Sequence, residues 1–244
     1  MITPFVFKNP LVEGIIERRK SQFTIQVNYN GESFHCHCPS TGRIGNIDLE
    51  GRPCLMSSAD KTRKTAFTVE AVSLNKPEDI EKKWIGINQN AVNRYVEHFL
   101  CNGGFSEMIS SDIVRREQIL GNSKLDFLVG DTFIEVKMPL QCLQIKIPEY
   151  VKIKKSTPFS ATDRMTRHIS ELGNSLSKNQ RAIMLLCFVY DNPGFKVVEK
   201  STKYEEVKRI VDENIEKGVE IWQANFKITT NEVNLEKYFR IEIR

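Results

Sequence analysis

Short runs of alternating or β-branched residues fill the first 75 positions, at 12–17, 23–29, 33–38, 54–58 and 66–74, with polar pieces such as NYNGE and PSTGRIG between them. Strands of this length at regular spacing predict a small β-barrel or sandwich. The segment 76–83 (KPEDIEKK) is polar, holds Pro77 and interrupts the pattern, so it reads as a linker. A boundary there divides the chain into residues 1–78 and 79–244. Beyond Trp84 the period lengthens, and Val92, Tyr95, Val96 and Phe99 share one face of a helix predicted over 91–100. Strands follow at 113–119, 124–129 and 132–138, then a basic extended segment over 143–155. A helix at 162–177, a buried strand at 181–190, a helix at 202–217 and strands near 219–226 and 238–243 complete the pattern. The predicted class is α+β, a barrel followed by a mixed α/β domain.

The 244 residues carry a net charge of +4, with 40% hydrophobic and 27% charged positions, as a soluble globular chain of one or two domains does. The longest apolar run, 183–190, is far too short to span a membrane. The N-terminal residues lack a basic start followed by an apolar stretch, so a cytoplasmic address is expected. Six cysteines are scattered along the chain, several within strand-like runs, and are expected to be reduced thiols. The charge is uneven: residues 141–181 hold eight Lys or Arg against three acids. That local excess is larger than that of the whole chain and marks a candidate polyanion-facing segment.

The stretch 124–138 (KLDFLVGDTFIEVKM) concentrates the chemistry. Two β-rich runs flank Gly130-Asp131, a two-residue hairpin turn with glycine first. The register this turn imposes sets Val129 against Thr132, Asp126 against Glu135 and Lys124 against Lys137. Directly opposed carboxylates repel one another. A divalent cation such as Mg²⁺ (or Mn²⁺) would offset the repulsion and leave positions open for phosphate oxygens. Lys137 points to the same face, where an ammonium orients water or stabilises charge on a phosphorus centre. The alternative is a solvated hairpin face laced by salt bridges.

Several separated segments resemble one known family, the sugar fermentation stimulation protein A (SfsA) family. They are RRKSQF (18–23), HCPSTGR (37–43), the asparagines and arginine at Asn88, Asn93 and Arg94, LDFLV with FIEVK (125–137), and TDRMTRHISEL (162–172). The resemblance implies an N-terminal OB-like nucleic-acid-binding barrel and a C-terminal PD-(D/E)XK nuclease-like domain. It implies DNA binding and metal-dependent nuclease activity, with Asp126, Glu135 and Lys137 at the catalytic positions. Family members usually carry glycine where this chain has Met165, and an acid where it has Phe159.

Further candidates lie around this core. In the helix over 162–177, Met165, Ile169, Leu172 and Leu176 form an apolar face, while Arg164, Arg167, His168 and Glu171 share the other side. Arg164 and Arg167 suit phosphate, and His168 a phosphate or a metal-bound water. In the barrel, Ser40, Thr41 and Arg43 form a candidate phosphate loop. Arg18, Arg19, Lys20, Lys61, Arg63 and Lys64 add positive charge near Phe23 and Phe67, which are possible stacking groups. Glu97 and Glu117 are candidate additional acids. The run His35-Cys36-His37-Cys38 alternates, sending imidazoles and thiols to opposite faces of a strand, which favours structure over zinc.

The expected function is a Mg²⁺-dependent nuclease acting on nucleic-acid phosphodiesters with weak sequence preference, DNA before RNA. The alternative is a non-enzymatic DNA-binding accessory regulator of sugar-utilisation genes.

Overall fold

The computed structural model describes residues 2–40, 42–59, 64–110, 113–155, 158–159, 162–178, 181–198 and 200–242. Thr41, Lys61 and Arg63 lie outside them. The chain runs through β1 (Phe5–Val6), β2 (Val12–Arg19), β3 (Thr24–Tyr29), β4 (Glu32–His37), β5 (Pro53–Ser58), β6 (Phe67–Ser73) and β7 (Trp84–Gly86). Then come α1 (Gln89–Cys101), β8 (Val114–Leu120), β9 (Ser123–Val129), β10 (Thr132–Lys137) and α2 (Asp163–Ser175). After α2 the chain forms β11 (Arg181–Phe188), α3 (Tyr204–Glu216), β12 (Glu220–Ile228) and β13 (Glu232–Arg240).

Local chemistry accounts for the barrel. Asn30 and Gly31, with φ of 53° and 84°, make the left-handed turn that returns β3 into β4 with matching twist. Alternation places Ile25, Val27 and Cys36 inside the barrel, while Gln26 and His35 stay outside. The strands pair in the order β4-β3-β2-β5-β6, and a parallel bridge from His37 to Thr68 closes the ring. Cys36, Cys38 and Cys54 are buried free thiols, so the His-Cys alternation is that of a core strand.

The second sheet has the order β1-β13-β12-β11-β10-β9-β8. Its centre, β10, β11 and β12, is parallel, with α2 and α3 as the intervening crossovers that parallel neighbours require. Burial on both faces explains why β11 is apolar almost throughout. On α1, Val92, Tyr95, Val96 and Phe99 are buried as the periodicity predicts.

Three elements differ from expectation. β7 lies past the expected boundary at 78/79 and pairs with β6, so the first sheet continues to Gly86. β1 leaves the N-terminal region to pair with β13. Both strands are too short to carry a readable period. The last strand occupies 232–240 rather than 238–243, because its weakly apolar sequence leaves only Val233 fully buried. Among the described residues no helix is long and apolar enough to cross a membrane.

The two sheets are strapped together. The segment 143–155 bridges Ile153 to Ile47, and Asp48 N–H donates to Lys152 O at 2.8 Å. Gly86 N–H donates to Val189 O at 2.8 Å, and a Cβ on Gly86 would lie 2.5 Å from Val189. Glycine at 86 thus sets how closely the barrel approaches the second sheet. Gly86→Ala is expected to lower unfolding stability by about 1–3 kcal/mol through overpacking. A urea midpoint equal to that of wild type would refute this tight contact.

Candidate functional site

The hairpin β9–β10 begins in the expected register: Thr132 pairs with Val129, Phe133 with Leu128 and Ile134 with Phe127. Gly130 takes φ of 59°, the left-handed value a glycine-first turn needs. The ladder then ends. Asp126 Oδ2 accepts from the Val136 N–H at 2.8 Å, so a side-chain carboxylate stands where a strand carbonyl would be. Asp126 and Glu135 therefore do not form a regular cross-strand pair, nor do Lys124 and Lys137. On the other side of β9, Glu117, the residue across from Asp126, has φ of 54° and drops out of the ladder with β8.

Asn93 Nδ2 on α1 donates to Asp126 Oδ1 at 2.7 Å. Each Asp126 oxygen thus accepts one N–H. Burial and then the Glu135 charge push the Asp126 carboxyl above the ordinary aspartate range, against the lowering pull of the Val136 amide, Asn93 and Lys137.

Glu135 is only 1% exposed. Its Oε1 takes Lys137 Nζ in a short ion pair and His168 Nδ1 at 2.5 Å. Its Oε2 is buried and has no hydrogen-bond partner among the described residues. A half-satisfied buried carboxylate is costly, so this oxygen is a strong acceptor in search of a donor or cation. The solvated-face alternative does not describe these two acids.

His168 departs from the expected outward-facing role. It is 3% exposed, and its imidazole lies against Glu135 and Lys137. Burial first, then the cations of Lys137, Arg164 and Arg167, drive its pKa down to about 4, so at neutral pH the ring is uncharged and Nδ1–H donates to Glu135. Glu171, one turn on, accepts from Asn122 N–H at 3.0 Å and ties α2 to the β8–β9 turn. Arg164 and Arg167 are exposed and carry no ion pair among the described residues.

Other predicted residues are placed elsewhere. Glu97 pairs with Arg116 at 3.1 Å and Glu117 with Lys124 at 2.6 Å, so neither acid joins Asp126 and Glu135. Arg19 is consumed by the fold: it donates to the carbonyls of Ser21, Gln22, Ser40 and Gly42. Ser40 is 1% exposed and its hydroxyl donates to Ile87 O at 2.5 Å, facing inward rather than toward a phosphate. Arg43 donates to Asn46 at 3.1 Å. Arg18 donates to Gln26, Lys20 lies 3.0 Å from the His35 ring, and Lys64 is exposed. Thr41 and Arg63 lie outside the described residues. Asn93 was absent from the expected site residues. Its readable signals are its place in the Asn88, Asn93, Arg94 pattern of the family resemblance and its position on the polar side of α1, five residues after the helix cap Asn88.

The donor set fits a hard divalent cation: two carboxylates, one with an orphaned oxygen, brought together against their mutual repulsion. Among the described residues no group of three or more His, Cys, Asp or Glu could hold a metal ion. A cation here would therefore complete its shell with water or substrate oxygens.

Residues 18–87 match the SfsA N-terminal OB domain, and residues 90–232 match the sugar fermentation stimulation protein RE domain. A sugar fermentation stimulation protein homolog of Synechococcus sp. (strain JA-3-3Ab) is 32% identical over 186 residues, 75% of this chain and 73% of its own. The homolog of Pseudoalteromonas atlantica is 30% identical over 222 residues, 86% of this chain and 89% of its own. The solved structure of Pyrococcus furiosus SfsA in complex with Ca²⁺ superposes with a TM-score of 0.73 at 22% identity, covering 99% of this chain and 100% of that one. This last likeness supports the two-part fold.

The buried imidazole makes stability depend on pH. The folded pKa of about 4 lies below the ordinary histidine value of 6.5, so the unfolded chain takes up the proton first. The stabilising contribution is full above 6.5 and is lost as pH falls toward 4. The loss is on the order of 1–3 kcal/mol. Chemical denaturation in EDTA between pH 7.5 and 4 is expected to show this slope in wild type and a shallower one in His168→Gln. Parallel curves would contradict the buried neutral ring.

Proposed function

The chain belongs to the sugar fermentation stimulation protein family, and from that membership and the Asp126–Glu135–Lys137 geometry we propose that it is a metal-dependent nuclease of the PD-(D/E)XK kind that hydrolyses nucleic-acid phosphodiesters. The observation that carries this reading is the orphaned Oε2 of a 1%-exposed glutamate beside a second, half-buried carboxylate. The Ca²⁺ of the Pyrococcus furiosus relative, a hard oxygen-seeking cation, supports it.

Asp126 and Glu135 would hold Mg²⁺ or Mn²⁺, which polarises a phosphoryl oxygen and makes a bound water more acidic. The chain's own residues do the positioning. Asn93 and the Val136 amide fix both Asp126 oxygens, so the remaining lone pairs point in set directions. His168 and Lys137 hold Glu135 Oε1 and leave Oε2 free to bind. Lys137 Nζ, anchored at Glu135, donates to the attacking water or to a non-bridging oxygen as negative charge grows at phosphorus. Water adds in line and releases one proton to solvent, the P–O bond to the leaving oxygen breaks, and solvent returns one proton to that oxygen. Arg164, Arg167 and the exposed lysines 146, 152 and 155 supply a positive approach surface for phosphates.

The test is cleavage of labelled single- and double-stranded DNA and RNA by wild type, Asp126→Ala and Glu135→Ala with Mg²⁺ or Mn²⁺ and an EDTA control. Wild type is expected to cleave only with metal, and each variant to lose at least about 100-fold while still binding, as groups in direct contact with the reaction do. Equal cleavage by variants and wild type would overturn the assignment of the pair. Salt-sensitive binding without cleavage would favour the non-enzymatic DNA-binding reading.

A further inference from the structure

A second acid, away from the hairpin, has no cation partner among the described residues. Glu70 on β6 is 4% exposed, and it forms no salt bridge among the described residues. Its carboxylate is held by two neutral donors, Ser57 Oγ to Oε1 at 2.6 Å and Asn88 Nδ2 to Oε2 at 2.7 Å. A buried charge satisfied only by neutral groups is poorly compensated. A carboxylate has about four acceptor positions, so each oxygen keeps a lone pair for a further donor.

Glu70 lines a cavity of about 370 Å³ between the barrel and the start of α1. That volume lies within the range of small-molecule sites. His37, Ser58, Thr68, Asn90 and Arg94 also line it, and none of their side chains has a hydrogen-bond or ion-pair partner among the described residues. Thr68 is 7% exposed and adds a hydroxyl to the cavity lining. Arg94 is exposed, a free guanidinium at the rim.

We propose that this cavity is a nucleotide subsite that takes one unstacked guanine nucleotide, with Glu70 accepting from the base and Arg94 pairing with its phosphate. The proposal rests on the nucleic-acid reading above and gives it a base preference. One acceptor position left on each oxygen suits guanine, whose N1–H and N2–H lie side by side. Adenine and cytosine offer an amino group beside an acceptor, and uracil one N–H between two carbonyls, so each leaves an oxygen of Glu70 unmatched or opposed. Arg94 at the rim has the fork geometry for phosphate oxygens. Helix α1 joins this cavity to the hairpin. Asn88 at its cap bonds Glu70, and Asn93 bonds Asp126. Those two residues are separated by about 7.5 Å along a helix axis, which sets the cavity and the carboxylate pair on neighbouring turns of one helix.

The experiment is calorimetric titration of the full chain, in EDTA, with guanosine, uridine and adenosine 5′-monophosphates and inorganic phosphate. The proteins are wild type, Glu70→Gln, Thr68→Val, Arg94→Gln and Glu135→Gln, each checked for an unaltered melting transition. Guanosine monophosphate is expected to bind about tenfold more tightly than uridine monophosphate, the discrimination of one good paired contact. Glu70→Gln should abolish that preference. Arg94→Gln, an exposed change that leaves the fold alone, should weaken all nucleotides about tenfold. Glu135→Gln reports whether the hairpin, rather than the cavity, takes the nucleotide. If guanosine monophosphate does not bind, or if binding ignores both Glu70→Gln and Arg94→Gln, the proposal is overturned. Loss in Glu135→Gln alone would also overturn it, by moving the site to the hairpin. Salt-sensitive oligonucleotide binding in the same preparations separates this failure from failure of the nucleic-acid reading. With oligonucleotides bound and no Glu70-dependent preference, the subsite alone falls.

Discussion

Everything at the centre of the second domain depends on one hydrogen bond, from the Val136 amide to the Asp126 carboxylate. A hairpin in regular register would carry its strand–strand bonds past Asp126 and press that acid directly against Glu135. By accepting the Val136 N–H itself, Asp126 ends the β9–β10 ladder after Ile134 and satisfies a buried donor that would otherwise be orphaned. β10 continues without β9, paired in parallel to β11 as far as Lys137. The splayed end leaves room for Asn93 to reach Asp126 from α1 and for His168 to reach Glu135 from α2. Two helices are thereby pinned to a hairpin by its charged residues, and the acids stay close without being forced into contact.

The same logic shows which parts of this arrangement the amino-acid sequence discloses. Turn chemistry at Asn30-Gly31 and Gly130-Asp131 is local, so the hairpins and the first three pairs of β9–β10 are legible from residue type alone. The faces of α1 are equally readable, because its apolar stripe is continuous. What a period cannot show is where a ladder stops. Asp126 is a normal outward-facing strand position by alternation, and only the structure reveals that its side chain replaces a carbonyl. His168 is misplaced for a related reason. A histidine on the polar side of an amphipathic helix reads as solvent-facing, yet α2 packs so that His168 is turned onto Glu135 while Arg164 and Arg167 beside it stay exposed. By type alone Ser40 reads as part of a phosphate loop and Arg19 as positive surface charge, whereas Ser40 serves the Ile87 carbonyl and Arg19 the carbonyls of Ser40 and Gly42, contacts of long sequence separation.

Two buried glutamates illustrate how surroundings divide one residue type into different tasks. Glu135 has a cation, a neutral imidazole donor and one unused oxygen, a set that tolerates charge and invites a metal. Glu70 has only a hydroxyl and an amide, both neutral, and faces a cavity lined by polar groups with no internal partners. The first environment stabilises negative charge by opposite charge. The second stabilises it by hydrogen bonds alone, which makes further N–H donors the natural complement.

Helix α1 makes these two environments parts of one device. Its cap residue Asn88 uses its oxygen on the Asn90 and Ala91 amides and its nitrogen on Glu70, so the start of the helix cannot shift without releasing the barrel carboxylate. Asn93, little more than a turn later, holds Asp126. A displacement of α1 along its axis would therefore break both carboxylates' hydrogen bonds at once, and neither acid has a second neutral donor in reserve on that helix. The barrel is further locked in place by the close approach of Gly86 to Val189 and by the 143–155 strap. Because the cavity and the hairpin are referenced to the same short helix, a ligand that orders one of them has a rigid path by which to order the other.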